Sequence, residues 1–377
     1  MTFDARWWFV SDLHLESGGP QPRRTSEAFA AFLDTVVVAG RDAVLAAGKA
    51  PARHLVMLGD TFDLAGRDAV VELAVLAERH RIVFDAWRAC LRDGIELHFV
   101  CGNHDLDLVR PAVRDVLHDL LPGDGVSVHP WILRADDLFF AEHGQQHHAP
   151  HRVPTILLAG VGAQERPAPA PLAAWTAHSD AGAGRRIAAL IAAARASRRA
   201  ERQARSVGYR ALLQVEADRV GLSAAALQAV ASTSPFGVRS ALGVVGRVVL
   251  RRLGRDSPGA YLESAAAKVH AALAAHHCAA RWYVVGHSHR ATESSLDGAQ
   301  VGYLNTGTWS ADVRGNGPDT LEPTLFPLVR LEAKNGRASA SLCYWRFNAL
   351  EQVQSRTGDP PARATSPKLR PAHGNGR

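Results

Sequence analysis

The chain has 377 residues and a mass of 40.5 kDa, room for one large domain with an insertion or for two domains. Hydrophobic residues make up 47% and charged residues 21%, values of an ordinary globular protein that exclude wholesale disorder. Lys and Arg number 43 against 37 Asp and Glu, a net charge of +6, so where the excess sits matters more than its size. The four cysteines, Cys90, Cys101, Cys278 and Cys343, form no CxxC pair, which points away from a disulfide scaffold or a structural zinc site. No signal-peptide pattern and no run of about 18 uncharged apolar residues is visible; a cytoplasmic protein is expected.

In chain order, five short apolar runs read as buried strands. Trp7–Val10 leads into Asp12 and His14, and Leu55–Leu58 into Gly59-Asp60 with Asp63 three residues on. Leu97–Val100 leads into Gly102-Asn103-His104-Asp105, Leu138–Ala141 into Glu142-His143-Gly144, and Trp282–Val285 into Gly286-His287-Ser288-His289. Each strand ends just before polar residues, at the sheet edge where layered α/β proteins bind ligands. Between the first runs, Ser26 is expected to cap a helix through Phe29, Phe32, Leu33 and Val36. A second helix is expected from about Asp68 to Arg92, with Val71, Leu73, Leu76, Ile82, Phe84 and Trp87 as its apolar positions. Strand–helix–strand alternation gives α/β layers.

The middle of the chain differs. Pro167-Ala168-Pro169-Ala170-Pro171 reads as a hinge, and residues 184–256 carry 14 Arg against four acids. An Ala/Arg-rich helical insertion therefore holds the basic excess. Within it, Val238, Leu242, Val245, Val249 and Leu253 share one helical face, with Arg247, Arg251 and Arg255 roughly opposite. Such a helix can lie on an anionic membrane or pack on the domain with its arginines solvated. Its arginines could also grip nucleic-acid phosphates, but aromatic residues are nearly absent there, which argues against a single-strand platform. The expected divisions are 1–160 for the first part of the main domain, 161–280 for the insertion, 281–352 for the second part and 353–377 for a disordered tail.

Singly, each motif has a bland reading: Asp60 or Asp63 as a helix cap, Asn103 as a turn residue, His287 and His289 as loop residues. The ordered set is different. It offers carboxylate, imidazole and one amide oxygen but no thiolate, a donor mixture that suits borderline divalent ions. Seven such residues are enough for two metals with positions left open. His147, His148 and His151 read as loop residues, and Asn305 and Gly307 as a structural turn beside the site.

These motifs resemble those of the calcineurin-like metallophosphoesterase superfamily, over about residues 7–144 and 282–310. The resemblance implies an α/β fold, a layered β-sandwich flanked by helices, with the basic segment inserted. It implies two divalent ions, manganese first, with iron, zinc or nickel as alternatives. Asp12, His14 and His289 would hold one ion and Asn103, His143 and His287 the other, with Asp60 between them. His104 would be the general acid and Asp63 the carboxylate orienting it. The implied activity is hydrolysis of a phosphodiester, pyrophosphate or phosphomonoester by in-line attack of a metal-bridging hydroxide. The substrate would be a phosphorylated small molecule or a lipid-linked one, with peripheral contact at the inner membrane surface through the basic helices.

Other functions stay open. Ser11-Asp12-Leu13-His14-Leu15 and the insertion after His143 are similar to bacterial UDP-2,3-diacylglucosamine hydrolases, which cleave a lipid precursor pyrophosphate; those usually carry Arg where this chain has His104. Asp63 is followed by Leu64-Ala65, not the Arg-Gly of serine/threonine protein phosphatases. A nuclease would suit diester chemistry with a basic segment. A non-catalytic scaffold on the same fold would usually lack ligands that are present here.

Overall fold

The computed structural model describes residues 4–17, 23–38, 51–64, 68–148, 151–152, 209–233, 260–296, 301–310, 325–346 and 349–352. Its order begins β1 (Ala5–Val10), α1 (Arg23–Phe32, continued as a π-helical turn over Leu33–Val38), β2 (Ala52–Leu58), α2 (Ala69–Arg79), α3 (Arg81–Arg92) and β3 (Ile95–Val100). Then come α4 (Pro111–Leu120), β4 (Val126–His129), β5 (Ile132–Ala135) and β6 (Phe139–Glu142). The helices α5 (Tyr209–Arg219), α6 (Ala224–Ser232) and α7 (Ala260–Ala274) precede β7 (Trp282–Val285), β8 (Ala291–Ser295), β9 (Gly302–Thr306), β10 (Phe326–Lys334), β11 (Arg337–Arg346) and β12 (Ala349–Gln352).

Two sheets result. One has seven strands in the order β12-β11-β10-β1-β2-β3-β4, the other five in the order β5-β6-β7-β9-β8. Toward their C-terminal ends the core strands β1, β2 and β3 are buried on both faces, which is why Trp7–Val10, Leu55–Leu58 and, but for His98, Leu97–Val100 read as apolar runs. Side chains alternate across a strand. Trp7, Phe9, Val56, Leu58 and Val100 therefore meet Leu133, Phe139, Ala141, Val284 and Leu304 between the sheets. The alternate residues, Trp8, Leu55, Met57, Leu97 and Phe99, pack under the helices with Phe29, Phe32, Phe84 and Trp87. The fold is thus an α/β sandwich flanked by helices, as the sequence led one to expect.

Two local expectations need correction. Residues 68–92 form two helices, broken at His80. The His80 ring explains the break: its Nδ1 lies 3.0 Å from Ser26 Oγ and its Nε2 3.1 Å from the Glu16 carbonyl, so it ties the junction to α1 and the loop after β1. The kink leaves Leu73, Leu76, Phe84 and Trp87 buried, while Val71 and Ile82 are 59% and 44% exposed. Ser26 is not a cap: α1 begins at Arg23, and the buried Ser26 hydroxyl is spent on His80.

Within 161–280, residues 209–233 and 260–280 are described, and their regular elements are helices. The Pro167–Pro171 stretch, the Val238–Arg255 basic face and the tail from 353 lie outside the described residues. Among the described residues, no helix is long and apolar enough to cross a membrane. All four cysteines are free thiols.

Candidate metal centre

The loops following β1, β2, β3, β6 and β7 converge at one end of the sandwich. The first two run side by side: Asp12 N–H donates to the Gly59 carbonyl at 3.0 Å, His14 N–H to that of Asp60 at 2.9 Å, and Leu15 N–H to that of Thr61 at 2.9 Å. This ladder ends both strands abruptly and turns their next side chains into the same space. Asp12, His14, Asp60, His287 and His289 all have positive φ, between 47° and 66°. Non-glycine residues rarely adopt that conformation, and its strain concentrates at functional sites.

Gly59 makes the crowding feasible. Its φ is +85°, and a Cβ there would overlap the His143 ring. Gly59→Ala is therefore expected to cost about 2 kcal/mol or more in stability and to push His143 out of place. A thermal melt beside a metal-binding isotherm reads both effects.

The side chains sort into two adjoining groups. Ligand-type atoms of Asp12, His14 and His289 lie within 4.8 Å of one another, and so do those of Asp60, His143 and His287. His289 Nε2 is 2.9 Å and His14 Nε2 3.8 Å from Asp12 Oδ1. His143 Nε2 is 3.2 Å from Asp60 Oδ2 and 3.1 Å from His287 Nδ1. Asp60 Oδ2 also lies 3.9 Å from His14 Nε2, so this carboxylate stands between the groups. His287 and His289 are two apart, which in a strand would aim them alike. The turn after Gly286, closed by Ser288 N–H to the Gly286 carbonyl at 2.7 Å, splays them into different groups.

Buried polar atoms test whether these residues suit cations. Asp12 Oδ1, His14 Nε2 and Asn103 Oδ1 are buried and have no hydrogen-bond partner. Asp12 Oδ1 keeps an ion-pair contact with His289 Nε2 at 2.9 Å. Unsatisfied buried polar atoms are costly, and a cation in each of the two groups would satisfy them. The chemistry of the donor set fits: imidazole, carboxylate and amide oxygen without thiolate.

Charge tells the same story. Burial pushes the Asp60 carboxyl upward, but His143 and His104 outweigh it and hold it well below the usual range. Burial likewise raises Asp12, and His289 and His143 reverse that. Burial disfavours charge on His143, yet Asp60 and Asp12 raise it to about 10. Without an ion, protons on imidazoles balance two buried carboxylates. His287, desolvated and beside His143, is pushed well below its ordinary value and is neutral.

His104 sits at the rim. Its Nδ1 bonds to Asp63 Oδ1, and its backbone N–H donates to Asp60 Oδ1 at 2.9 Å. Burial opposes its charge, but Asp60 and Asp63 raise it to about 9. The His14 and His104 rings meet edge-on with centroids 4.8 Å apart.

Supporting residues fix the ligands. Asp105 straps loops together: it accepts from Gly102 N–H and Thr61 N–H, both at 2.7 Å. Burial and Asp60 raise it to about 6. Ser11 Oγ donates to Asp12 Oδ2, and His287 N–H to the same oxygen at 3.1 Å. Thr308 Oγ donates to the Asp12 carbonyl at 2.9 Å. Asn305 bridges the Gly286 carbonyl and Gly307 N–H at 2.9 and 3.0 Å, the structural turn read from its sequence.

Two of the histidines read as loop residues do lie in the loop after β6, and they approach the site. His148 Nδ1 lies 3.0 Å from His287 Nε2, and His148, His151 and His287 form a further group with ligand spacing. His147 belongs elsewhere, bonded to the buried Glu142 at 2.6 Å. The signal available was histidine density: four within nine residues from His143.

No protein-family model matches the chain, and no curated protein matches it. Among solved structures, Vps29 from Entamoeba histolytica, determined with zinc, is 11% identical over 92% of this chain and 97% of its own, with a TM-score of 0.29. A cold-active protein tyrosine phosphatase, described in a related structure as that of a psychrophilic Shewanella, is 12% identical over 93% and 78%, with a TM-score of 0.35. The phosphopantetheinyl hydrolase PptH from Mycobacterium tuberculosis is 12% identical over 86% and 100%, with a TM-score of 0.29. Similarities of this size leave the functional reading to the site itself.

Proposed function

We propose that the chain is a dinuclear-metal phosphoester hydrolase. The observation that carries this reading is the pair of adjoining ligand groups with Asp60 between them. Asp12, His14 and His289 would hold one divalent ion. His143, His287 and the Asn103 amide oxygen would hold the second, with Asp60 shared. When bound, the ions would neutralise charge on the phosphoryl oxygens and lower the pKa of water.

The chain's own residues do the rest. Asp60 and Asp12, fully desolvated, fix the position of positive charge. His104 is protonated at neutral pH and donates to the leaving oxygen, while Asp63 fixes its tautomer and ring angle. Ser11, Asp105 and Thr308 hold the ligand loops still, so little reorganisation accompanies the reaction.

The substrate class is a phosphodiester, pyrophosphate or phosphomonoester. The basic, amphipathic sequence pattern of Val238–Arg255 is what suggests a lipid-linked member of this class. Expected on metal reconstitution are two ions at this centre, with manganese the preferred activator, and hydrolysis of bis(p-nitrophenyl) phosphate. An Asn103→Ala control should weaken one ion selectively. A folded protein that binds no pair of ions and stays inert with Mn, Fe, Zn and Ni would remove this reading.

A further inference from the structure

A second set of ligand-type side chains lies away from the proposed metal centre, on the first sheet. Register puts it there. His54 on β2 pairs with Glu96 on β3, and Val56 pairs with His98. His54, Glu96 and His98 therefore share one sheet face, four residues (about 13 Å) short of the end of β2. On β4, His129 pairs with Val100 and continues the row.

The rings form a ladder. His54 Nδ1 lies 3.2 Å from His98 Nε2, His98 Nδ1 lies 3.1 Å from His129 Nε2, and Arg219 Nη1 on α5 lies 2.8 Å from His129 Nδ1. Arginine has only donors, so His129 Nδ1 accepts and its Nε2–H donates to His98 Nδ1. His98 must then donate from Nε2 to His54 Nδ1. All three rings are neutral: burial lowers each, His98 to about 3. This logic leaves the His54 Nδ1 lone pair 3.2 Å from Glu96 Oε2. Two acceptors face each other, with one proton from His98 nearby.

The spacing matches a cation better. The three atoms, His54 Nδ1, His98 Nε2 and Glu96 Oε2, are separated by 3.2, 3.2 and 3.6 Å. Ligands at zinc bond lengths in a tetrahedron sit about 3.3 Å apart. Trp7 stacks on the His54 ring with centroids 3.7 Å apart and planes within 10°, fixing its direction and walling one side. The Glu96 side chain is 57% exposed, so solvent and an ion can enter.

We propose that His54, His98 and Glu96 form a separate divalent-cation site, suited to zinc or another ion accepting two imidazoles and a carboxylate, and that its occupancy competes with the Arg219–His129 contact. Binding needs the His98 Nε2 lone pair. His98 then carries its proton on Nδ1 and donates to His129 Nε2, and His129 carries its own proton on Nδ1. No proton is gained or lost overall, but Arg219 Nη1 loses its acceptor. Arg219 keeps its 2.9 Å bond to the Ile132 carbonyl and its pair with Glu216, so α5 would loosen rather than detach.

The test is zinc stoichiometry and affinity, measured by equilibrium dialysis with metal analysis on the full chain. His54→Phe keeps the ring on Trp7 but removes the ligand atom, and should bind one zinc fewer than wild type with unchanged phosphodiesterase kcat. Glu96→Gln, at an exposed position, should weaken that zinc at least about tenfold. Arg219→Ala or His129→Phe frees the His98 tautomer and should tighten it severalfold. Equal stoichiometry in wild type and His54→Phe, with unweakened binding in Glu96→Gln, overturns the site. Affinity no higher in both Arg219→Ala and His129→Phe overturns the competition. The readout is a difference of one ion, so it holds whether or not the proposed catalytic centre binds metal.

Discussion

Asp60→Asn is expected to lower phosphodiester kcat by about three orders of magnitude, the scale of several kcal/mol of transition-state charge stabilisation. Asparagine has the same shape but no charge, and Asp60 is the carboxylate within 3.9 Å of imidazoles from both ligand groups. The Asp60→Asn protein should bind at least one ion fewer than wild type. The same change should alter the metal-free protein. Against burial, Asp60 is the foremost group raising His143 to about 10, so His143 should titrate at distinctly lower pH in Asp60→Asn. Imidazole NMR on the apo protein measures that. An unchanged His143 titration and an ion count equal to wild type would sink the shared-carboxylate role.

The second large effect concerns His104. His104→Asn should lower kcat by about 10²–10⁴ on substrates with poor leaving groups, the usual reach of a general acid. With p-nitrophenolate, which leaves without a proton, the loss should nearly vanish. A uniform loss on both substrates would instead mean that His104 only shapes the pocket. The pH profile supplies a further check. A group raised to about 9 is protonated below that value, so the acid-dependent limb falls as pH rises. Metal ions would offset the pull of Asp60, so the limb should lie below about 9 in the loaded enzyme. Asp63→Asn removes a second raising group and should move the limb to lower pH. A limb that moves upward, or stays fixed, contradicts the pairing.

How much of this could be read from residues alone is uneven, and the reasons are physical. Strands buried on both faces leave apolar runs that need no context to recognise, and polar residues directly after each run mark the sheet edge. Asp12, His14, Asp60, Asn103, His143, His287 and His289 were singled out on that basis. The break at His80 was hidden because helical periodicity runs on through it; a tertiary bond from Ser26 decides it. For the same reason Ser26 looked like a cap.

The sequence by itself determined the α/β order, the strand ends and the chemical character of the residues there, because these follow from local patterns of side-chain polarity along a chain of fixed geometry. Only the tertiary structure showed how the ligands that the resemblance implies are turned into two groups, since positive φ at His287 and His289 and the close approach at Gly59 arise from loops pressing on one another. It alone brought His148 and His151 to His287, and it alone set His54 opposite Glu96, because the pairing of two strands is a contact between distant segments that neither strand's own pattern names.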